Sequence, residues 1–115
     1  MFKQGLMIVL LLLAVATTVN AEEVFIQFKQ GNPSAKEFVL AAKRTFYRRN
    51  YEIQSAQDDR VTGDYKGTVT MEIVLGDTGV TIRPVDVSNS YKKKIPGYIK
   101  NLQRDLVYEL AEFLL

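Results

Sequence analysis

The chain has 115 residues, 47% of them hydrophobic, and its 15 basic and 13 acidic side chains leave a net charge of +2. This length suits one small domain with a single core. So small a charge imbalance is no argument for binding of nucleic acid, which requires a concentrated basic face, and no nucleic acid partner is expected. Cysteine and histidine are both absent. The usual ligands of zinc, copper and haem are therefore missing, as is the commonest general base, and no cofactor is predicted.

The N-terminus has the pattern of a cleaved secretory signal peptide. Lys3 provides a positive charge, an apolar run extends from Leu6 to Ala16, and Val19 and Ala21 place small side chains where a signal peptidase requires them. The run is too short for the roughly 20 residues of a transmembrane helix. We therefore expect cleavage after Ala21 (residues 1–21 removed) and one domain over residues 22–115 without a transmembrane anchor. The expected location is the periplasm, or the medium if the cell has no outer membrane.

The predicted mature chain begins with a short strand and a helix. The segment from Val24 to Phe28 is rich in β-branched and aromatic residues, which is typical of a strand. Ser34 followed by Glu37 predicts a capping box at the start of a helix. Asn50 tolerates the left-handed conformation that ends helices, so the helix is expected to stop there. One face of this helix repeats an apolar residue at every fourth position: Phe38, Ala42 and Phe46.

From Tyr51 onward the pattern alternates with a period of two residues. Turn residues at Asp58-Asp59 and from Gly76 to Gly79 divide this segment, and Pro84 is expected to end regular pairing. The pattern predicts a three- to four-stranded antiparallel meander with one apolar and one polar face. The polar face is either a solvated surface or a platform for a partner, and it comprises Glu52, Gln54, Thr62, Thr70, Glu72, Thr81 and Arg83.

An amphipathic helix of about 18 residues is predicted after Pro96-Gly97. We expect its acidic residues to lie on the far side, away from the core. The fold class is therefore α+β, in two layers, with the meander covered on one face by two helices in the order β-α-β-β-β-α. The apolar stripe, expected to pack on the sheet, comprises Ile99, Leu102, Leu106, Leu110 and Phe113, and the far side carries Asp105, Glu109 and Glu112 beside Lys100 and Arg104.

Several segments resemble a family of small exported proteins and lipoproteins of Gram-negative bacteria. They are the basic-then-aromatic junction from Arg48 to Tyr51, the Val-x-Gly strand from Val61 to Gly63, and a Ser/Asn-rich segment that leads to the helix around Tyr98. The resemblance covers roughly Ala35 to Asp105, and the chain lacks the tryptophan, histidine and lipidation cysteine of the family. It implies an α+β fold and a location in the cell envelope, and it brings no established activity.

Two basic clusters are the candidate binding residues. One is near the end of the first predicted helix, and the other immediately precedes the last helix, where the helix dipole disfavours positive charge. For both clusters a solvated helix end is favoured over a patch that binds an anion or a partner. The sequence does not establish that the two clusters share one surface. Their members are Lys43, Arg44, Arg48, Arg49, Lys92, Lys93 and Lys94.

The side chains needed for catalysis do not occur in a recognisable arrangement. Ser88 and Ser90 have no histidine partner, and the aspartates of the predicted turns lack the spacing of an EF-hand. We therefore expect a non-enzymatic domain, without metal or cofactor, that acts through protein contacts in the cell envelope and has an envelope protein as its partner. The alternative is binding of anionic small molecules or lipid headgroups through the basic residues, with a weak contact at a membrane surface.

Overall fold

The structure is a computed structural model that describes residues 13–20, 23–29 and 31–114. Within these residues the chain forms β-strands, two α-helices and a short 3₁₀ helix that precedes the second α-helix. The strands are β1 (Leu13–Asn20), β2 (Glu23–Phe28), β3 (Glu52–Gln57), β4 (Arg60–Tyr65), β5 (Val69–Leu75) and β6 (Gly79–Val87). The helices are α1 (Ala35–Arg48), the 3₁₀ helix (Asn89–Lys94) and α2 (Ile95–Leu114).

The strands form one antiparallel sheet in the order β1-β2-β6-β5-β4-β3. Strands β3 to β6 are a four-stranded meander, and β2 pairs with β6 because α1 carries the chain across to the opposite edge, where β3 begins. Both helices pack against the apolar face of this sheet. The predicted α+β class is confirmed. The order of elements differs from the prediction in having β1 and a full fourth strand in the meander.

Strand β1 lies within the segment that we predict to be removed as a signal peptide. Its residues pair with β2 from Leu13 opposite Phe28 to Asn20 opposite Glu23. Residues 1–12 and the predicted cleavage position at Ala21 lie outside the described residues, so cleavage stays a prediction. A chain cleaved after Ala21 would retain the sheet from β2 to β6.

The prediction that Pro84 ends regular pairing is wrong. Strand β6 continues through Pro84 to Val87, and Pro84 is the partner of Met71 on β5. The register shifts between Thr70 and Met71, at the same place. An irregularity of this kind tolerates a residue without an N–H group, and it therefore accommodates the proline inside a paired strand.

The ends of α1 follow from local side-chain and backbone chemistry. The hydroxyl of Ser34 accepts a hydrogen bond from the N–H of Glu37 at 3.1 Å, and the Glu37 carboxylate accepts one from the N–H of Ser34 at 2.8 Å, which confirms the capping box. After the last turn Asn50 has a φ of 63° and reverses the chain. Between these ends Phe38, Ala42 and Phe46 are fully buried.

The predicted apolar stripe of α2 forms part of the core. Ile99, Leu102, Leu106 and Leu110 are buried and Phe113 is partly buried, in one cluster with apolar residues of the sheet, as expected. The helix begins at Ile95, so Pro96 lies in its first turn, where a missing N–H group costs little. In the described part of the chain, no helix is both long enough and apolar enough to cross a membrane. The sheet residues that share the core cluster with the stripe of α2 include Val69, Met71, Ile73 and Ile82.

Candidate functional site

Two arginines of α1 and Arg49, which caps the C-terminus of α1, form ion pairs with three carboxylates of α2. Successive pairs move backward along α1 and forward along α2, so the two helices run in opposite directions. We call these residues the interhelical ion pairs. They are Arg49 Nε with Asp105 Oδ2 at 2.7 Å, Arg48 Nε with Glu109 Oε2 at 2.7 Å, and Arg44 Nη1 with Glu112 Oε1 at 3.0 Å.

The expectation that the acidic residues of α2 lie on a solvated far side is wrong for two of them. Asp105 is only 7% exposed and Glu109 only 3%, whereas Glu112 is exposed. The physical reason is that α2 packs against α1 as well as against the sheet, and the acidic stripe lies in that second contact. A buried carboxylate requires a charged or hydrogen-bonding partner, and Arg48 and Arg49 at the C-terminal end of α1 provide it.

These pairs change the interpretation of the basic cluster on α1. Arg44, Arg48 and Arg49 are brought together, but each of their charges is matched by a carboxylate of α2. Hydrogen bonding to the carboxylates of Glu109 and Asp105 raises the pKa of Arg48 and of Arg49 respectively. The α1 arginines therefore serve the contact between the helices rather than a free anion patch.

The four lysines of the predicted patch lie in other places. Lys43 is partly exposed beside the end of β3. Lys92, Lys93 and Lys94 are the exposed last turn of the 3₁₀ helix, and within the described residues they form no ion pair. The seven predicted residues thus do not form one continuous basic surface made only of free cations.

A series of aromatic rings runs across one end of the domain. It begins in the core at Phe46 and continues through four tyrosines. The distances between ring centroids are 5.1 Å for Phe46–Tyr51, 5.3 Å for Tyr51–Tyr65, 5.7 Å for Tyr65–Tyr98 and 6.5 Å for Tyr91–Tyr98. Such tilted and edge-on arrangements favour aromatic pairs, so the rings form a connected wall.

This wall borders a cleft of about 260 Å³, which we call the tyrosine cleft. The left-handed turn at Asn50 directs Tyr51 back beneath Phe46, and β4 ends at Tyr65. The first turns of α2 close the opposite side. The lining residues are Arg48, Arg49, Asn50, Tyr51, Tyr65, Tyr98 and Asn101.

The tyrosine cleft combines aromatic faces with hydrogen-bonding groups. Phenol and amide groups both donate and accept, and a guanidinium has five N–H donors, of which Arg49 directs some at Asp105. Burial raises the pKa of Tyr51 well above its ordinary value of 10.0, the neighbouring phenols of Tyr98 and Tyr65 raise it further, and Arg49 opposes them. The Tyr51 hydroxyl is therefore a neutral donor throughout the physiological range of pH.

Two lysines lie over rings of the same aromatic series. Lys66 Nζ is 5.2 Å from the centroid of Tyr65, and Lys94 Nζ is 5.0 Å from the centroid of Tyr91. Both distances are within the range of a cation–π contact. The cleft thus combines phenol and amide groups with two ion-paired arginines, and the two lysines add positive charge over neighbouring rings.

The polar face of the sheet is organised around one carboxylate. Glu72 is only 7% exposed. Its carboxylate accepts a hydrogen bond from Arg83 Nε at 2.6 Å and forms an ion pair with Arg60 Nη1 at 3.5 Å. Glu72 and Arg83 are direct cross-strand partners, an arrangement that stabilises a pair of strands. This face therefore has an internal network at its centre rather than a cavity.

No pattern in the sequence predicts the tyrosine cleft. Its nearest signal lies in the positions of the tyrosines: of six in the chain, four belong to the ring series, and these lie near the ends of elements, with Tyr51 just before β3, Tyr65 at the end of β4, Tyr91 in the 3₁₀ helix and Tyr98 in the first turn of α2. Amphipathic tyrosine is well suited to such boundaries. Sequence periodicity alone does not show which element ends meet, so the cleft becomes visible only with the topology.

Comparison with known proteins finds no matching family model, no matching curated protein and no matching solved structure. The resemblance to small exported envelope proteins stays a prediction. What this chain does is accordingly inferred from its own residues.

Proposed function

We propose that this protein is a non-enzymatic domain, exported to the periplasm, that acts through protein contacts in the cell envelope. The tyrosine cleft is the part of its surface that receives a side chain of the partner protein. The observation that carries this proposal is the lining of the cleft, in which three tyrosines, two arginines and two asparagines converge from the end of α1 and the turn after it, from β4 and from α2. The proposed location rests on the predicted signal peptide.

The residue types of the lining support a protein partner. Tyrosine and arginine are enriched in the few interface residues that supply most of the binding free energy. Tyrosine adds a large contact area at a low cost in conformational entropy, and asparagine adds adaptable hydrogen bonds. Tyr98, which is partly exposed and contacts both Tyr65 and Tyr91, is the central candidate among these residues.

The rigidity of the walls also supports this function. Arg48 and Arg49 are held by the interhelical ion pairs, and Tyr51 is held by the core. Their side chains have therefore lost most of their freedom before a partner arrives. Binding to a wall that is already ordered has a smaller entropic cost.

In-cell photocrosslinking tests this proposal. A photoreactive phenylalanine analogue replaces Tyr98 in one variant and Tyr47 in the control, because Tyr47 is 59% exposed on α1 and does not line the cleft. We expect the Tyr98 variant to form a defined adduct with one envelope protein and the Tyr47 variant not to form it. The absence of an adduct from Tyr98, or the same adducts from both positions, would contradict the proposal.

A second function, binding of anionic lipid headgroups, is favoured by one observation. Lys92, Lys93 and Lys94 are adjacent and exposed, and within the described residues they form no ion pair. Each such lysine contributes about 1 kcal/mol at an anionic membrane surface. The protein should then sediment with vesicles of phosphatidylglycerol and should dissociate from them at high salt. Binding should be lost when all three lysines are replaced by glutamine. Equal retention by neutral phosphatidylcholine vesicles would exclude this function.

A further inference from the structure

Strand β3 forms one edge of the sheet. Within the described residues it pairs only with β4, so the outer row of its backbone N–H and C=O groups has no strand partner. The register shifts between Ile53 and Ser55, and such a shift twists the edge of a strand and blunts it. The regular segment Ser55–Gln57 is therefore the part of this edge that is open to a further strand.

An apolar groove lies beside this open segment. It has a volume of about 530 Å³ and separates the first half of α1 from the end of β3. Its apolar lining residues are Ala35, Val39 and Leu40 on α1 and Ala56 on β3, and Leu40, at 39% exposed, is one of the exposed large apolar side chains of the described residues. We call this feature the β3 groove.

The margin of the β3 groove is basic. Lys36 and Lys43 line it from α1, and Asp58 is the only acidic residue among its lining. Because the two lysines are seven positions apart, they are separated by roughly 10 Å along the helix axis. This is about the length of three to four residues of an extended peptide. The charges therefore match a strand that carries acidic residues at a short interval.

From these observations we propose that the β3 groove binds an extended segment of a partner protein in which apolar and acidic residues are interspersed. The segment pairs with Ser55–Gln57 as an additional strand, inserts its apolar side chains against Leu40, and places its carboxylates near Lys36 and Lys43. The open row of N–H and C=O groups on a strand edge is matched in spacing by another extended peptide backbone, and this favours a protein segment over a lipid or a small anion. The proposal does not rest on the tyrosine cleft.

The test begins with a displayed library of random peptides, selected on the purified protein. The recovered peptides are synthesised, and their binding is followed by the NMR shifts of backbone amides. We expect interspersed apolar and acidic residues, and shifts in Ser55–Gln57 and around Leu40. No recovered peptide, peptides without acidic residues, or shifts confined to other parts of the domain would overturn the proposal.

Charge reversal then tests the role of the lysines with a matched control. The double variant Lys36→Glu and Lys43→Glu should bind the selected peptide about tenfold more weakly or worse. The same change of charge at Lys92 and Lys93, outside the groove, should alter the affinity by no more than about twofold. Equal losses in the two double variants would overturn the proposal.

Two further variants separate this proposal from its rivals. Tyr98→Ala should leave peptide binding unchanged, so failure of the tyrosine cleft and failure of the β3 groove give different results. If a second copy of the chain occupies the groove instead, sedimentation should show a dimer that Leu40→Glu converts to a monomer. That result would overturn the proposal of a partner segment.

Discussion

Gly63 on β4 allows α1 to approach the sheet closely. A Cβ built at this position would lie 2.8 Å from ring carbons of Phe46, closer than unbonded carbon atoms can pack. The glycine of the Val-x-Gly strand is therefore required by the position of one aromatic ring. Because Phe46 also contacts Tyr51, this packing supports the tyrosine cleft as well as the core.

The change Gly63→Ala should lower the free energy of unfolding by about 1–3 kcal/mol, because the ring or the strand must move. Gly97→Ala is the matched control. Gly97 lies in α2, and beyond its chain neighbours and the adjacent helix backbone no atom is within 4 Å of a built Cβ, so alanine should stabilise the protein by about 0.4–1 kcal/mol. Urea unfolding measures both values, and equal effects of the two substitutions would contradict the role given to Phe46.

The buried phenol of Tyr51 makes stability depend on alkaline pH. Its pKa in the folded protein is raised above the value in the unfolded chain, so the folded state favours the neutral phenol. This contribution is fully present below about pH 10 and is lost as the pH rises further. Thermal melting from about pH 9 to about pH 12 should show a smaller alkaline loss of stability in Tyr51→Phe than in the wild type. Tyr47→Phe, at an exposed tyrosine, should melt like the wild type.

At the scale of elements, α2 is the helix on which the core depends. Its apolar stripe covers the sheet, and its acidic stripe meets α1, so the helix is held on two sides. Leu106 is completely buried in the first contact. Leu106→Ala should lower the free energy of unfolding by about 2–5 kcal/mol, while Leu40→Ala, at an exposed position, should have little effect. A Leu106→Ala protein that melts like the wild type would show that α2 is not part of the core.

The two ends of the interhelical ion pairs should differ in their importance. Asp105 is buried beside Arg49, whereas Glu112 and Arg44 form an exposed pair. Loss of a buried charge leaves its partner uncompensated, and exposed pairs contribute little. Asp105→Asn should therefore lower the melting temperature clearly, and Glu112→Gln should barely change it. The reverse order in calorimetry would contradict the packing of α2 on α1.

At the scale of the whole molecule, local chemistry predicts the elements better than their contacts. Ser34, Asn50 and the stripe around Leu106 are recognisable because caps and amphipathic periodicity depend on neighbours along the chain. The partners of Asp105 and Glu109 could not be predicted in this way, because each is an arginine more than 50 positions distant. The irregularity that accepts Pro84 likewise depends on Met71, which belongs to another strand.

In the candidate site, too, residue types can be predicted from the sequence but the contacts between distant residues cannot. The sequence identifies the basic residues, but whether an arginine is free or paired depends on the packing of two helices. Arg48 and Arg49 consequently line a cleft as paired residues, while Lys92 to Lys94 remain exposed, as expected for a solvated segment before a helix. The cleft itself is formed where α1, β4 and α2 meet, and no short stretch of sequence contains that meeting point.

The most direct test of the tyrosine cleft as the contact surface uses the partner captured by crosslinking. Its affinity is measured for three forms of the protein: wild type, Tyr98→Ala and Tyr47→Ala. Tyr98 lines the tyrosine cleft, and Tyr47 is an exposed tyrosine outside it. Loss of a central interface residue costs about 2 kcal/mol or more, so Tyr98→Ala should weaken binding about thirtyfold, whereas Tyr47→Ala should remain within about twofold of the wild type. If Tyr98→Ala binds the partner as tightly as the wild type, the tyrosine cleft is not the contact surface.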